Sequence, residues 1–91
     1  VRYGSASDDV RAERQRAHLK HSGKGGSGKS AEEMAHDDPL WLPVLTEELG
    51  EVAREICDHR YSRPHALHAE LIQLAAMAQA WADCLQHEVG A

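Results

Sequence analysis

The stretch Trp41-Leu-Pro-Val-Leu-Thr-Glu-Glu-Leu-Gly-Glu-Val-Ala-Arg-Glu55 decides how this chain folds. At about 100° per residue, Leu45, Leu49, Val52 and Ile56 fall on one helical face. Glu48, Glu51 and Glu55 form a strip beside it. A second stretch, Leu67-His-Ala-Glu-Leu-Ile-Gln-Leu-Ala-Ala-Met-Ala-Gln-Ala-Trp81, repeats the arrangement. Leu67, Leu71, Leu74, Ala78 and Leu85 share its apolar face, with Glu70 and Gln73 on the corresponding flank. Carboxylates crowded on one strip at i,i+3 and i,i+4 spacing repel each other. A divalent cation is the natural agent to offset that repulsion.

Working outward, Asp38 before Pro39 reads as an N-cap with proline at the first helical position. The helix then continues to about Asp58, and Pro43 falls near its first turn, where proline is tolerated. Gly50 costs this helix about 1 kcal/mol relative to Ala. Either a close approach by a neighbour accounts for it, or it is simply tolerated. Residues His59 to Arg63 form a connection, and Pro64 opens a last helix running to about His87. The alanines at 75, 76, 78, 80 and 82 keep that helix slim enough for close packing. Upstream, residues 1–7 read as frayed. Asp8 or Asp9 is placed to cap a weakly apolar helix from Val10 to Lys20. His21 to Asp38 reads as a Gly-, Ser- and Lys-rich loop with a short helical turn at Ala31 to Met34.

A chain of 91 residues is expected to form one domain with a marginal core. Residues 1–38 supply a polar helix and a flexible loop, and residues 39–91 a helical hairpin with the acidic strips. Few large apolar side chains precede residue 40, and two amphipathic helices cannot enclose a core alone. The expected fold is therefore all-α, an antiparallel helical bundle completed by homo-oligomerisation. A net charge of −5 and a pI near 5.7 argue against a surface that coats a nucleic-acid polymer. No apolar run is long enough to span a membrane, and the first residues lack an apolar signal core. Cys57 and Cys84 suggest no disulfide framework, which fits a reducing cytoplasm. Val1 reads either as a GTG start or as a trimmed end.

Gly23-Lys-Gly-Gly-Ser-Gly-Lys-Ser30 matches the phosphate-binding pattern G-x-x-x-x-G-K-[ST] at every position. That loop works between a buried strand and a packed helix. Here a polar helical segment precedes it, an acidic segment follows it, and nothing supplies a parallel sheet. It is read instead as a mobile loop whose Lys20, Lys24 or Lys29 reaches a phosphate as a flexible cation.

Glu48-Leu-Gly-Glu51 and Glu70-Leu-Ile-Gln73 each put two oxygen-bearing side chains on one side of a helix. If the helices pack antiparallel, the four groups can converge. Oxygen ligands of this kind, completed by water and phosphate, suit Mg²⁺. Together with Glu47-Glu-Leu-Gly-Glu-Val-Ala, these residues resemble the MazG-like all-α nucleotide pyrophosphohydrolase superfamily, over roughly residues 39–87. Its pattern is E-x-x-E followed on the next core helix by E-x-x-D. The resemblance implies Mg²⁺, with Mn²⁺ as a substitute, on Glu48, Glu51, Glu70 and Gln73. It implies hydrolysis of a nucleoside triphosphate to the monophosphate and pyrophosphate, with Glu47 or Glu51 aligning the attacking water. Gln73 departs from the pattern. An amide oxygen can ligate a cation but brings no charge and cannot act as a base. A non-catalytic helical dimerisation or regulatory module derived from the same scaffold is the alternative, and a P-loop nucleotide-binding protein a further one.

The remaining candidates read structurally. Trp41 and Trp81 are expected in the core or at a subunit interface rather than stacked on a base. His65 and His68 form an i,i+3 pair without a third zinc ligand. His18 and His21 read as a solvated pair flanking Lys20. Glu55 reads as a surface residue or a partner of Arg54 or His59. Neither cysteine has an evident activating base.

Overall fold

In a computed structural model of the protein, residues 5–21 and 30–88 are described, and their regular structure is entirely helical. Helix α1 spans Ala6–His21, a short 3-10 turn spans Ala31–Glu33, α2 spans Trp41–His59 and α3 spans Pro64–Glu88. The start of α1 differs from the expected cap. Ser5 Oγ accepts a hydrogen bond from the Asp8 backbone N–H at 3.1 Å, and Asp8 Oδ2 accepts one from the Ser5 N–H at 3.4 Å. This reciprocal box satisfies two donors at once, so the helix begins before Asp8 and Asp9. The expected turn after residue 30 is present. Ser30 N–H donates to Glu33 Oε1 at 2.9 Å, closing the same kind of box around the 3-10 turn.

Helix α2 starts two residues later than expected. Asp38 and Pro39 lie in a turn, where Asp38 Oδ1 accepts the Leu40 N–H at 2.9 Å. Its C-terminus closes at Arg60, in the left-handed region at φ 49°, and Tyr61 follows at φ 67°. Two such residues in succession reverse the chain within four positions, so α2 and α3 form an antiparallel hairpin. Helix α3 is the central element: α1, α2 and the 3-10 turn all pack on it. No described helix is long and apolar enough to cross a membrane.

The core forms where the 3-10 turn, the start of α2 and the second half of α3 meet. Trp41 is 1% exposed and stacks on Trp81, ring centroids 5.6 Å apart and planes 1° from parallel. Each indole N–H is satisfied by the connecting segment: Trp41 Nε1 donates to the Ala35 carbonyl at 2.8 Å and Trp81 Nε1 to that of His36 at 3.3 Å. Met34 and Ala80 are buried beside them, and Cys84 Sγ donates to the Met34 carbonyl at 3.5 Å. The tryptophans are thus core residues, and the residues before position 40 contribute Val10 and Met34 to the buried set. Arg14 ties α1 down. Its Nε donates to Glu32 Oε2 and its Nη1 to Gln79 Oε1, both at 3.0 Å, and Nη1 also meets Asp83.

The leucine stripes do not form the buried face as the periodicity suggests. On α2, Val52 is buried but Leu49 is 57% exposed and Leu42 64%. On α3, Ala76 and Ala80 are buried while Leu71 and Leu85 remain 45% and 42% exposed. Each helix packs through one edge of its stripe. Gly50 has no atom within 4 Å of where a Cβ would stand, so no close approach within the described residues accounts for it.

Tyr61 carries a side chain where glycine is favoured. Tyr61→Gly should raise stability by up to about 1 kcal/mol by removing a left-handed non-glycine strain, read as a higher urea midpoint with an unchanged slope. Trp41→Ala should cost about 3–5 kcal/mol, enough to unfold a domain this small.

Candidate functional site

The hairpin brings three of the four carboxylate-motif residues together. One ligand oxygen each from Glu48, Glu51 and Glu70 lie within 4.8 Å of one another. This follows from local structure. Glu48 and Glu51 are one turn apart on α2, and the tight Arg60–Arg63 link folds Glu70 of α3 back against them. All three are half-buried. Oε2 of Glu48 and Oε2 of Glu70 are each buried without a hydrogen-bond partner among the described residues.

The electrostatics reflect that crowding. Burial, then repulsion from Glu51, Glu70, Glu47 and Glu13, pushes the Glu48 carboxyl above the usual carboxylate range. Burial, then a hydrogen bond with Glu51 and the charges of Glu51 and Glu55, raises Glu70. Two carboxylates can share a hydrogen bond only when one holds a proton. The crowding thus favours the protonated forms of Glu48 and Glu70, and when ionised the cluster offers a hard cation several oxygens.

One turn further along α2 the same problem is solved differently. Glu55 is buried, and Arg63 grips it with both arms of its guanidinium: Nε donates to Oε2 at 3.1 Å and Nη2 to Oε1 at 2.7 Å. This bond, more than any other contribution, holds the Glu55 carboxyl below its usual range. The expected surface position is thereby corrected; of the expected partners, the His59 charge contributes to holding Glu55 ionised, behind Arg63. Sequence distance hid the pairing, because Arg63 lies eight residues away across the turn. Glu51, Glu55, Arg63 and Glu70 line one open groove.

The other candidates are placed as follows. Glu47 is exposed beside the cluster and acts on Glu48 only through its charge. Gln73 lines a groove of about 340 Å³ between α1 and α3, with Asp9, Glu13, Arg16 and His68 on its walls. There Arg16 is paired with Glu13, and His68 Nε2 lies 3.5 Å from Asp9 Oδ2. His18 is not a solvated residue, since its Nδ1 meets Ser30 Oγ at 2.6 Å. Ser30, the last position of the glycine-rich pattern, is only 2% exposed and joins α1 to the 3-10 turn. Lys24 and Lys29 lie outside the described residues, as do the side chains of Lys20 and His21. Cys57 is exposed and Cys84 half-buried, both as free thiols.

Compared with known proteins, the chain matches no family model, no curated protein and no solved structure.

The raised groups set a pH dependence for the cation-free protein. Glu48 and Glu70 protonate more readily folded than unfolded, so their contribution is complete below the ordinary carboxylate range. It is lost as pH rises through their raised folded values. Glu55 has the opposite sign: its contribution is present above the ordinary range and lost as pH falls through its depressed value. In chelator, the thermal midpoint should therefore be higher in mildly acidic than in mildly alkaline buffer. Glu48→Gln should flatten that dependence and stabilise the alkaline form by about 0.2–0.5 kcal/mol, the usual size of an i,i+3 like-charge repulsion.

Proposed function

We propose that this chain is a divalent-cation-dependent nucleoside triphosphate pyrophosphohydrolase of the MazG-like all-α type, acting as a homo-oligomer in the cytoplasm. The observation that carries the reading is the convergence of Glu48, Glu51 and Glu70 from two helices, in the places where the resemblance expects ligands. The unpartnered oxygens of Glu48 and Glu70, with the Glu51 carboxylate beside them, fit Mg²⁺ or Mn²⁺. Held by Glu48, Glu51 and Glu70, such an ion would supply neutralisation of phosphate charge and polarisation of the phosphoryl group.

The chain's own groups then divide the work. Glu48, Glu51 and Glu70 supply the holding oxygens. Glu47, exposed at the rim, or Glu51 aligns a water and accepts its proton as the bond between the α and β phosphates opens. Lys20, Lys24 and Lys29 are the cations proposed to meet the outer phosphates. Gln73 is proposed as an uncharged fourth ligand, one turn beyond Glu70.

A second copy of the chain is the proposed cover for the outward leucines. Leu42, Leu49, Leu71 and Leu85 leave apolar area exposed on both hairpin helices. Leu49→Glu should convert the oligomer to a monomer in sedimentation equilibrium; an unchanged mass contradicts the proposal.

The position of Gln73 favours one other reading, a non-catalytic association module. It brings no charge and lines the groove between α1 and α3. A P-loop protein is supported less, because Ser30 is buried against His18 and the described residues contain no strand. The three separate in one experiment. A panel of canonical and modified nucleoside triphosphates is supplied with Mg²⁺ or Mn²⁺ and scored for pyrophosphate. The enzyme should release pyrophosphate and lose all release on Glu48→Gln, while Lys29→Ala should weaken affinity only modestly. A module would hydrolyse nothing and dimerise equally with or without the cation. A P-loop protein would release orthophosphate and fail on Lys29→Ala.

A further inference from the structure

We infer that the outer side of α2 is the seam on which a second copy of this chain docks, antiparallel, about a two-fold axis passing between Gly50 and Glu51. The inference rests on the homo-oligomer part of the reading above and deepens it by naming the surface and the orientation. Helix α2 turns Trp41, Val52 and Glu55 inward. On its opposite side Thr46, Gly50, Ala53 and Cys57 recur at three- and four-residue spacing, all exposed, and so form one ridge of small side chains. Leu42 and Leu49 border that ridge on one flank, 64% and 57% exposed. Gly50 sits at its middle. No atom of the described chain lies within 4 Å of where its Cβ would stand, so packing within one copy gives no reason for a residue that weakens a helix. A crossing of two helices does, because without a Cβ the backbones approach closely and the bordering leucines reach across.

The charges choose the partner and its direction. Glu47 and Arg54 border the ridge on the flank away from the leucines, and both are exposed. They are two turns apart, about 10 Å along the axis, which is too far for them to pair within one helix. Among the described residues neither forms an ion pair, although Glu51 and Asp58 share an open groove with Arg54. Against a parallel copy each would meet its own like, and like charges brought together at an interface oppose association. Against an antiparallel copy each Glu47 meets the partner's Arg54, and the two-fold axis makes that pair twice. The point midway between positions 47 and 54 falls beside Gly50. The unexplained glycine and the unpaired charges therefore specify the same centre, and they do so independently.

The test is sedimentation equilibrium of the full chain and its variants at low salt, with helicity checked by circular dichroism. Glu47→Arg and Arg54→Glu each place like charges together twice, and each should weaken self-association about tenfold or more. Mixed in equal amounts, the two variants should associate with each other to within about threefold of the wild type, because one then carries arginine at both positions and the other glutamate. Gly50→Gln introduces a better helix former into space that is open in one copy. It should keep the helicity and weaken association about tenfold. If the mixture stays as weak as its components, or if either charge reversal associates as the wild type does, the antiparallel seam is wrong, while a homo-oligomer built on another face still stands. Undiminished association of Gly50→Gln overturns the centre of the seam and the inference with it. A wild-type chain that is monomeric at every concentration removes the oligomer reading and this inference together.

Discussion

The fold depends on how α2 turns its acidic flank, rather than the centre of its leucine stripe, toward α3. Glu55 is buried and Glu48 half-buried, whereas Leu49 is exposed. Charges moved out of water require compensation, and the two positions obtain it in different ways. Glu55 has a guanidinium across the turn. Glu48 is crowded by Glu51 and Glu70, and burial and their charges push its carboxyl above the usual carboxylate range. The hairpin is thus built with one carboxylate satisfied and three adjacent ones left in mutual repulsion.

Much of this was legible in the residues. Pro64 marks the start of α3, the turn after Ser30 is expected, and the i,i+3 spacing of the acidic pairs points to the convergence of Glu48, Glu51 and Glu70. The rotation of the helices was not legible. Periodicity says which residues share a face, but not which edge of that face meets a neighbour. Leu49 was therefore expected inside and Val52 alone is. Gln73 shares a flank with Glu70, yet also reaches the groove beside α1, whose docking on α3 through Arg14 involves partners 65 and 69 residues away. The Ser5-x-x-Asp8 box was a readable signal, overshadowed by the aspartates that follow. The pairing of Arg63 with Glu55 depends on two left-handed residues in a turn that carries no glycine, and no local pattern announces it.

The amino-terminal third is more than an appendage. Arg14 links α1 to Glu32 of the 3-10 turn and to α3, and His18 meets Ser30. The glycine-rich pattern therefore ends at a serine committed to holding elements together. Its lysines belong to the stretch between two anchored ends, α1 and the 3-10 turn, both of which pack on the helix carrying Glu70. In the proposed enzyme, that connection is what would bring lysines to a substrate without a dedicated phosphate loop.

The parallel indoles of Trp41 and Trp81 have a practical consequence. They are the only tryptophans in the chain, and they join the first residue of α2 to the second half of α3. Their emission consequently reports on a single joint, the seam between the two rods that carry the glutamates. Optical signals from this protein will follow the opening of that seam and remain largely blind to events confined to the first helix.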